Sequence, residues 1–289
     1  MIDPVFTGVC TALVTPFLGK NINYPMLEQL LRRQIEAHIP AVVLCGTTGE
    51  SATLSDMEKI EMFRRGKAYV GNNCKIIAGT GSNCTEHAVA LSKAAEAVGA
   101  DALLVVSPYY NKANADGLVE HYTAIAHNVC IPIILYNVPT RTGVDIPVSV
   151  YKQLSSISNI AGVKEASADI TKIAKIKSEC PEHFAVWSGN DDQTLPIMAL
   201  GGQGVISVLS NVLPEEMQVL MQCIQTGNYR EAALLQENLL PYMNLMFCDV
   251  NPIPVKAAMK LIGFDCGGYR LPLTELSTEK LCQLKEYFA

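Results

Sequence analysis

Lys164 is the residue whose sequence surroundings most invite chemistry. It closes the run Asn159-Ile160-Ala161-Gly162-Val163, whereas Lys75 precedes an apolar run and most of the fifteen lysines lie on polar helical faces. An amine held at the edge of an apolar core loses hydration, which disfavours its charged form and leaves a nucleophile able to form an imine with a carbonyl. The ordinary alternative is a lysine that snorkels from a strand end to water. Other segments bear on the choice. In Gly46-Thr47-Thr48-Gly49-Glu50-Ser51 the glycines permit a tight turn, and N–H groups and hydroxyls together suit a carboxylate. A plain loop is the competing reading there. Tyr136-Asn137-Val138-Pro139-Thr140-Arg141-Thr142-Gly143 offers a phenol and a guanidinium, and Ser107-Pro108-Tyr109-Tyr110-Asn111 offers two more phenols. A tyrosine hydroxyl hydrogen-bonded to a hydroxyl such as that of Thr48 can relay protons, and Arg141 can grip a carboxylate with its planar fork. Each tyrosine read alone is equally an amphipathic rim residue. Trp187-Ser188-Gly189-Asn190-Asp191-Asp192 and Gly204-Val205-Ile206-Ser207 add glycine backbone. The two aspartates are expected to cap the following helix rather than to hold magnesium.

These residues must be brought together by the elements that carry them. Short apolar runs recur at 9–14, 41–45, 76–79, 102–107, 131–136, 160–164, 185–188 and 204–207. Helical patterns separate them, as at Met26, Leu27, Leu30, Leu31 and Ile35 behind Pro25. Ser55-Asp56-Met57-Glu58 fits a capping box, and Thr85 precedes an alanine-rich segment that stops at Gly99. Continuously apolar strands with helical crossovers predict a parallel sheet covered on its outer face, and eight such units favour a closed (β/α)8 TIM barrel. An open dinucleotide-binding sheet would show a G-x-G-x-x-G turn, which is missing. Every candidate segment then follows a strand, at the barrel end where such enzymes place their chemistry. Beyond Thr226 the strand signal ends and helical patterns continue at 229–244 and 254–262. The expected organisation is a catalytic barrel over 1–226 and a C-terminal helical segment over 227–289, packed on the barrel or on a neighbouring subunit.

Composition narrows the function classes. With 289 residues, 49% apolar and 17% charged, the chain can bury a large core. A net charge of −6, with 22 basic residues scattered along the sequence, argues against nucleic acid. No apolar run approaches the roughly 20 residues of a membrane span, and Met1-Ile2-Asp3-Pro4 lacks signal-peptide character, so a cytoplasmic location is expected. The ten cysteines stand singly, without a C-x-x-C pair, and the five histidines form no H-E-x-x-H. Neither a metal nor a cofactor is expected.

The segments Gly46-Thr47-Thr48-Gly49-Glu50, Tyr136 to Gly143 and Gly162-Val163-Lys164-Glu165-Ala166 resemble, in order and spacing, those of the dihydrodipicolinate (4-hydroxy-tetrahydrodipicolinate) synthase family of pyruvate-dependent aldolases. The likeness extends essentially end to end. It implies that Lys164 forms an imine with pyruvate, and that the derived enamine adds to L-aspartate 4-semialdehyde on the way to lysine and diaminopimelate. It further implies a proton relay of Tyr136, Thr48 and Tyr110, with Tyr110 reaching across the tight-dimer interface of a homotetramer built as a dimer of dimers. Thr47, Thr48 and the Ile206 backbone match pyruvate-holding positions, Arg141 matches the position that binds the second substrate's carboxylate, and Gly189 lies among the substrate-binding positions. N-acetylneuraminate lyase and related aldolases share the barrel and the lysine but lack the arginine, and are the alternative. A barrel that only senses a keto acid would lack the relay residues. In lysine-inhibited relatives the positions of Asp56 and Lys59 are often histidines and that of His87 is a glutamate. Ser51, Asn83 and Tyr109 remain, but the change at His87 predicts weak or absent lysine feedback.

Overall fold

The computed structural model describes residues 3–288. Met1, Ile2 and Ala289 lie outside it, as do the expectation drawn from the first two residues and the last residue of the C-terminal segment. Eight parallel strands close into a barrel: β1 Gly8–Ala12, β2 Ala41–Leu44, β3 Lys75–Gly79, β4 Ala102–Val106, β5 Ile133–Asn137, β6 Ile160–Glu165, β7 Ala185–Ser188 and β8 Gly204–Ser207. Each pairs with the next, and β8 pairs with β1. A short antiparallel ribbon, Phe17–Leu18 with Asn21–Ile22, follows β1. The TIM-barrel expectation holds, with strand ends moved by one or two residues.

The helices are α1 Tyr24–Glu36, α2 Asp56–Val70, α3 Thr85–Ala97, α4 Ala115–Ala126, α5 Pro139–Thr142, α6 Val148–Leu154, α7 Ile170–Glu179, α8 Thr194–Ala199, α9 Pro214–Gln225, α10 Tyr229–Leu245, α11 Ile253–Leu261 and α12 Thr278–Phe288. Helix α1 begins at Asn23, whose side chain accepts the Met26 N–H, and buries Leu27, Leu30, Leu31 and Gln34 on one stripe. The capping box at Ser55 and Glu58 starts α2. Thr85 is not the cap of α3. Cys84 holds that position, and the Thr85 hydroxyl lies 2.9 Å from His121 Nδ1.

Two apolar cores divide the strands by residue parity. Cys10, Ala12, Ala41, Val43, Ile77, Leu104, Ile134 and Tyr136 fill the barrel, and Val9, Val42, Leu44, Ile76, Leu103, Val105, Ile133 and Leu135 face the helices. Phe6, from the segment before β1, stacks on Trp187 at 5.1 Å, and its carbonyl accepts the indole N–H. Among the described residues no helix is long and apolar enough to cross a membrane.

The segment after α9 folds back over the loop that follows β2. Lys256 Nζ donates to Glu50 Oε1 at 2.9 Å and to the carbonyls of Thr15 and Gly268, with both charges buried. Removing one partner from such a pair costs about 3–5 kcal/mol, because the other charge stays buried and alone. Arg270 forks onto Glu58, with Nη1 2.9 Å from Oε2 and Nη2 2.5 Å from Oε1, and this bond holds the Glu58 carboxyl down at about 2, against an ordinary 4.5. A depressed carboxyl contributes stability that is present above its unfolded value and lost as pH falls through the folded one. Melting temperature is therefore expected to drop as pH falls from 4.5 toward about 2. In Arg270→Met it should start roughly 5 °C lower at neutral pH and vary less across that window, as thermal melts would show.

Candidate active site

A cavity of about 460 Å³ opens where the strands end. Lys164, Tyr136, Thr47, Thr48, Arg141 and Gly189 all line it, and Met243, Asn244 and Phe247 from the end of α10 and the turn after it roof it.

Lys164 points inward because β6 carries one extra residue. The β5–β6 register runs Ile133 with Ile160 and then Ile134 with Gly162, so Ala161 is a bulge and Lys164 falls opposite Tyr136. Ile160 and Val163, three apart, both face the helices, which an unbroken strand would forbid. Gly162 is required at this step: its φ is +153°, and a Cβ would sit 2.0 Å from the Ala185 carbonyl oxygen. The Lys164 ammonium lies 4.4 Å from the centre of the Tyr136 ring. Four lysines are buried among the described residues, and the other three have carboxylate neighbours: Lys59 with Asp56, Lys172 with Asp145 and Glu165, Lys256 with Glu50. Lys164, 5% exposed, makes no hydrogen bond or ion pair with any described residue. Gly189 leaves room for it, since a Cβ there would lie 3.2 Å from Lys164 Cε and 2.6 Å from Ala166 Cβ.

The loop after β2 is a tight coil with Cys45 and Glu50 in left-handed conformations, φ 54° and 56°. Gly49, Glu50 and Ser51 N–H bond back to Gly46 or Thr47 carbonyls, while those of Thr47 and Thr48 bond to no described residue and remain available to an anion. Thr48 is buried, and its hydroxyl accepts from Asn251 Nδ2 at 2.9 Å. The expected Thr48–Tyr136 hydrogen bond is not formed, and the tyrosine hydroxyl has no protein partner among the described residues. Arg141, the last basic residue of α5, is exposed at the cavity rim without an ion pair among the described residues. Tyr110 is elsewhere: its side chain is 92% exposed, in a left-handed conformation (φ 68°), and does not line the cavity. Ile206 also stays out of it, with its side chain in the inner core and its backbone paired to Cys10.

Asp191 corrects an expectation. It does not cap the helix that follows. Its Oδ2 accepts the N–H groups of Val208 and Leu209, at 2.9 and 3.0 Å, and so ties the loop after β7 to the one after β8. Burial pushes this carboxyl up, opposed by the nearby Ser207 hydroxyl and by the hydrogen bonds it accepts from those two amides.

Residues 5–288 match the model of the dihydrodipicolinate synthetase family. The chain belongs to that family. It is 46% identical over 286 residues to a 4-hydroxy-tetrahydrodipicolinate synthase of Acetivibrio thermocellus, covering 99% of this chain and 97% of that one. A crystal structure of the dihydrodipicolinate synthase of Aquifex aeolicus superposes with a TM-score of 0.96 at 41% identity, over 97% of this chain and 96% of the other. The chloride-inhibited enzyme of Acinetobacter baumannii, solved in complex with pyruvate, does so at 0.95 and 39%, over 97% of each chain. The chain is thus a lyase of the dihydrodipicolinate synthase type, as the three sequence segments had implied.

Against that family pattern, two participants escaped sequence reading. Asn251 reaches Thr48 from 203 residues away, and the end of α10 roofs the cavity. Only the fold reveals either contact, although the Asn251-Pro252 turn between two helical patterns marks where the chain would have to bend. A second cavity, of about 700 Å³, shares Thr47, Arg141 and Asn251 with the first and is lined further by Ser51, Asp56, Lys59, Asn83, His87 and Tyr109. There His87 Nε2 lies 2.8 Å from Asp56 Oδ2 and 3.0 Å from Oδ1.

Proposed function

We propose that this chain condenses pyruvate with L-aspartate 4-semialdehyde through an imine on Lys164. The observation that carries the reading is the buried Lys164 amine, left without a protein partner and facing a cavity beside a phenol. The amine adds to the keto carbon of pyruvate and water leaves, giving an iminium. Loss of a methyl proton makes the enamine, whose terminal carbon attacks the aldehyde of the second substrate. The amino group of that substrate then displaces Lys164 from the imine carbon, closing a six-membered ring and freeing the enzyme. In this reading Thr47 and Thr48 hold the pyruvate carboxylate through unengaged N–H groups, with Gly189 bounding the pocket. Arg141 takes the carboxylate of the semialdehyde.

Protons pass through Tyr136 and Thr48. Asn251 donates to the Thr48 oxygen, so the threonine's own hydrogen is free to point toward a tyrosine. Tyr110 completes the relay from a neighbouring subunit, which accords with its exposure here. The active species in this reading is a cytoplasmic homotetramer, with 1–226 as the catalytic barrel and 227–289 as the helical segment that roofs it. Borohydride reduction with pyruvate, mapped to peptides, together with a coupled assay on the semialdehyde tests the reading. An adduct on Lys164 with turnover supports it. An adduct without turnover points to a sugar-acid aldolase, and no adduct removes the imine.

The second cavity bears on regulation. An ammonium effector needs a free carboxylate, and here His87 occupies the matching position while Asp56 already faces His87 and Lys59. Lysine at millimolar concentration is expected to leave the initial rate within about twofold of the uninhibited value. Half-inhibition well below that concentration, or a calorimetric titration with tight binding, would overturn this.

A further inference from the structure

Tyr136 and Lys164 are each followed by the last residue of their strand, Asn137 and Glu165, which pair in register and turn to the opposite face of the barrel wall. There, behind the active site, they meet in a polar network that is buried except at Asp145. Asn137 Nδ2 donates to Glu165 Oε1 and to Asp145 Oδ1, both at 2.8 Å, and Asn137 Oδ1 accepts the Ile146 N–H at 3.0 Å. The Tyr151 hydroxyl of α6 donates to Glu165 Oε2 at 3.0 Å, and the Ser167 N–H donates to Oε1 at 2.9 Å. Lys172 of α7 bonds Asp145 and lies 3.7 Å from Glu165 Oε2. Burial, reinforced by the Glu165 charge, raises the Tyr151 hydroxyl, which keeps it a donor.

A buried carboxylate is costly unless its oxygens are satisfied, and apolar side chains would seal two helices onto a barrel at lower cost. What the network does that apolar packing cannot is join, through directional bonds, the parts that set active-site geometry. Those parts are the ends of β5 and β6, the turn after Lys164, and both ends of the 138–145 segment that carries Arg141. We propose that Glu165 is a positioning residue for the reaction, fixing through Asn137 and Tyr151 the height of Lys164 against Tyr136 and the placement of the Arg141 segment. The inference rests on the imine reading above.

Glu165→Gln tests it. The amide preserves volume and one acceptor for Asn137 and Ser167, but faces the Tyr151 hydroxyl with a second donor and withdraws a charge from Lys172. A misplacement of about 1 Å at a reacting group can cost on the order of 100-fold. The expected result is a kcat lower by about 10- to 100-fold, a pyruvate KM within about twofold of the parent's, a raised semialdehyde KM and a retained cooperative melt. Parent-like kcat and KM would overturn the proposal, and so would a lowered melting temperature with parent-like kcat in the folded protein. If Glu165→Gln does not fold, Tyr151→Phe removes the single hydroxyl contact. It should lower kcat several-fold with an unchanged circular dichroism spectrum, and an unchanged kcat overturns the proposal. Where both variants fold, the double variant should fall no further than Glu165→Gln alone, because both break one bond. Losses that multiply would count against it. Borohydride trapping of the parent enzyme runs alongside: no adduct on Lys164 there defeats the imine reading itself, whereas a trapped parent with indifferent variants defeats only the positioning role.

Discussion

Lys164→Ala is expected to abolish borohydride-trapped pyruvate and to lower kcat by on the order of 1,000-fold or more, while the barrel stays folded. The size follows from losing a covalent route rather than a contact: without the amine there is no imine, so the methyl group of pyruvate loses the electron sink that makes it acidic. Folding should tolerate the change, since the ammonium contributes no hydrogen bond or ion pair among the described residues that its removal would orphan. Its loss leaves a hole that opens into the cavity and can fill with water. Intact mass after reduction, a coupled rate and a melt check the three parts separately. A trapped adduct that persists in the variant would mean that another of the lysines carries the chemistry.

Tyr136→Phe should be nearly as damaging to turnover and much less so to binding. Phenylalanine keeps the ring that packs in the inner core and lies 4.4 Å from the Lys164 ammonium, and removes only the hydroxyl. A positioned acid–base group contributes about 100- to 10,000-fold, so kcat should fall by that factor. The pyruvate KM should stay close to the parent's, because carboxylate binding is assigned to the 47–48 turn. Pre-steady-state trapping should show the imine forming slowly, with the proton-transfer steps lost to both its formation and its use. A Phe variant with parent-like kcat would reduce Tyr136 to a rim residue, the plain reading its sequence position also allowed.

The sequence made Lys164 and the cavity-lining turns visible because closed parallel barrels obey a positional rule: reactive groups follow strands, and strands here are unbroken apolar runs. Thr47, Thr48, Tyr136, Arg141 and Gly189 all follow or end such runs, and the structure brings them into one cavity. What stayed hidden depends on contacts between residues far apart along the chain. Asn251 contacts Thr48 through a fold-back that no local pattern encodes. Asp191 looks like a cap and instead bridges two loops. Glu165 reads as an ordinary charged residue next to a lysine, and only its neighbours Asn137, Tyr151 and Lys172, brought in from β5, α6 and α7, give it a role.

The bulge at Ala161 makes the active site a matter of odd and even. Along β6, identity and facing are separable properties: with Ile160 still opposite Ile133, pairing Ala161 with Ile134 instead of bulging it out would preserve every side chain beyond it yet exchange their faces, sending the Lys164 amine into the helical layer and the Glu165 carboxylate into the cavity. Substitutions along this strand perturb a single position, whereas a one-residue shift of its pairing recodes them all. The chemistry of the barrel is thus written partly in a register, and a strand that kept the lysine but lost the bulge would carry the motif without the geometry.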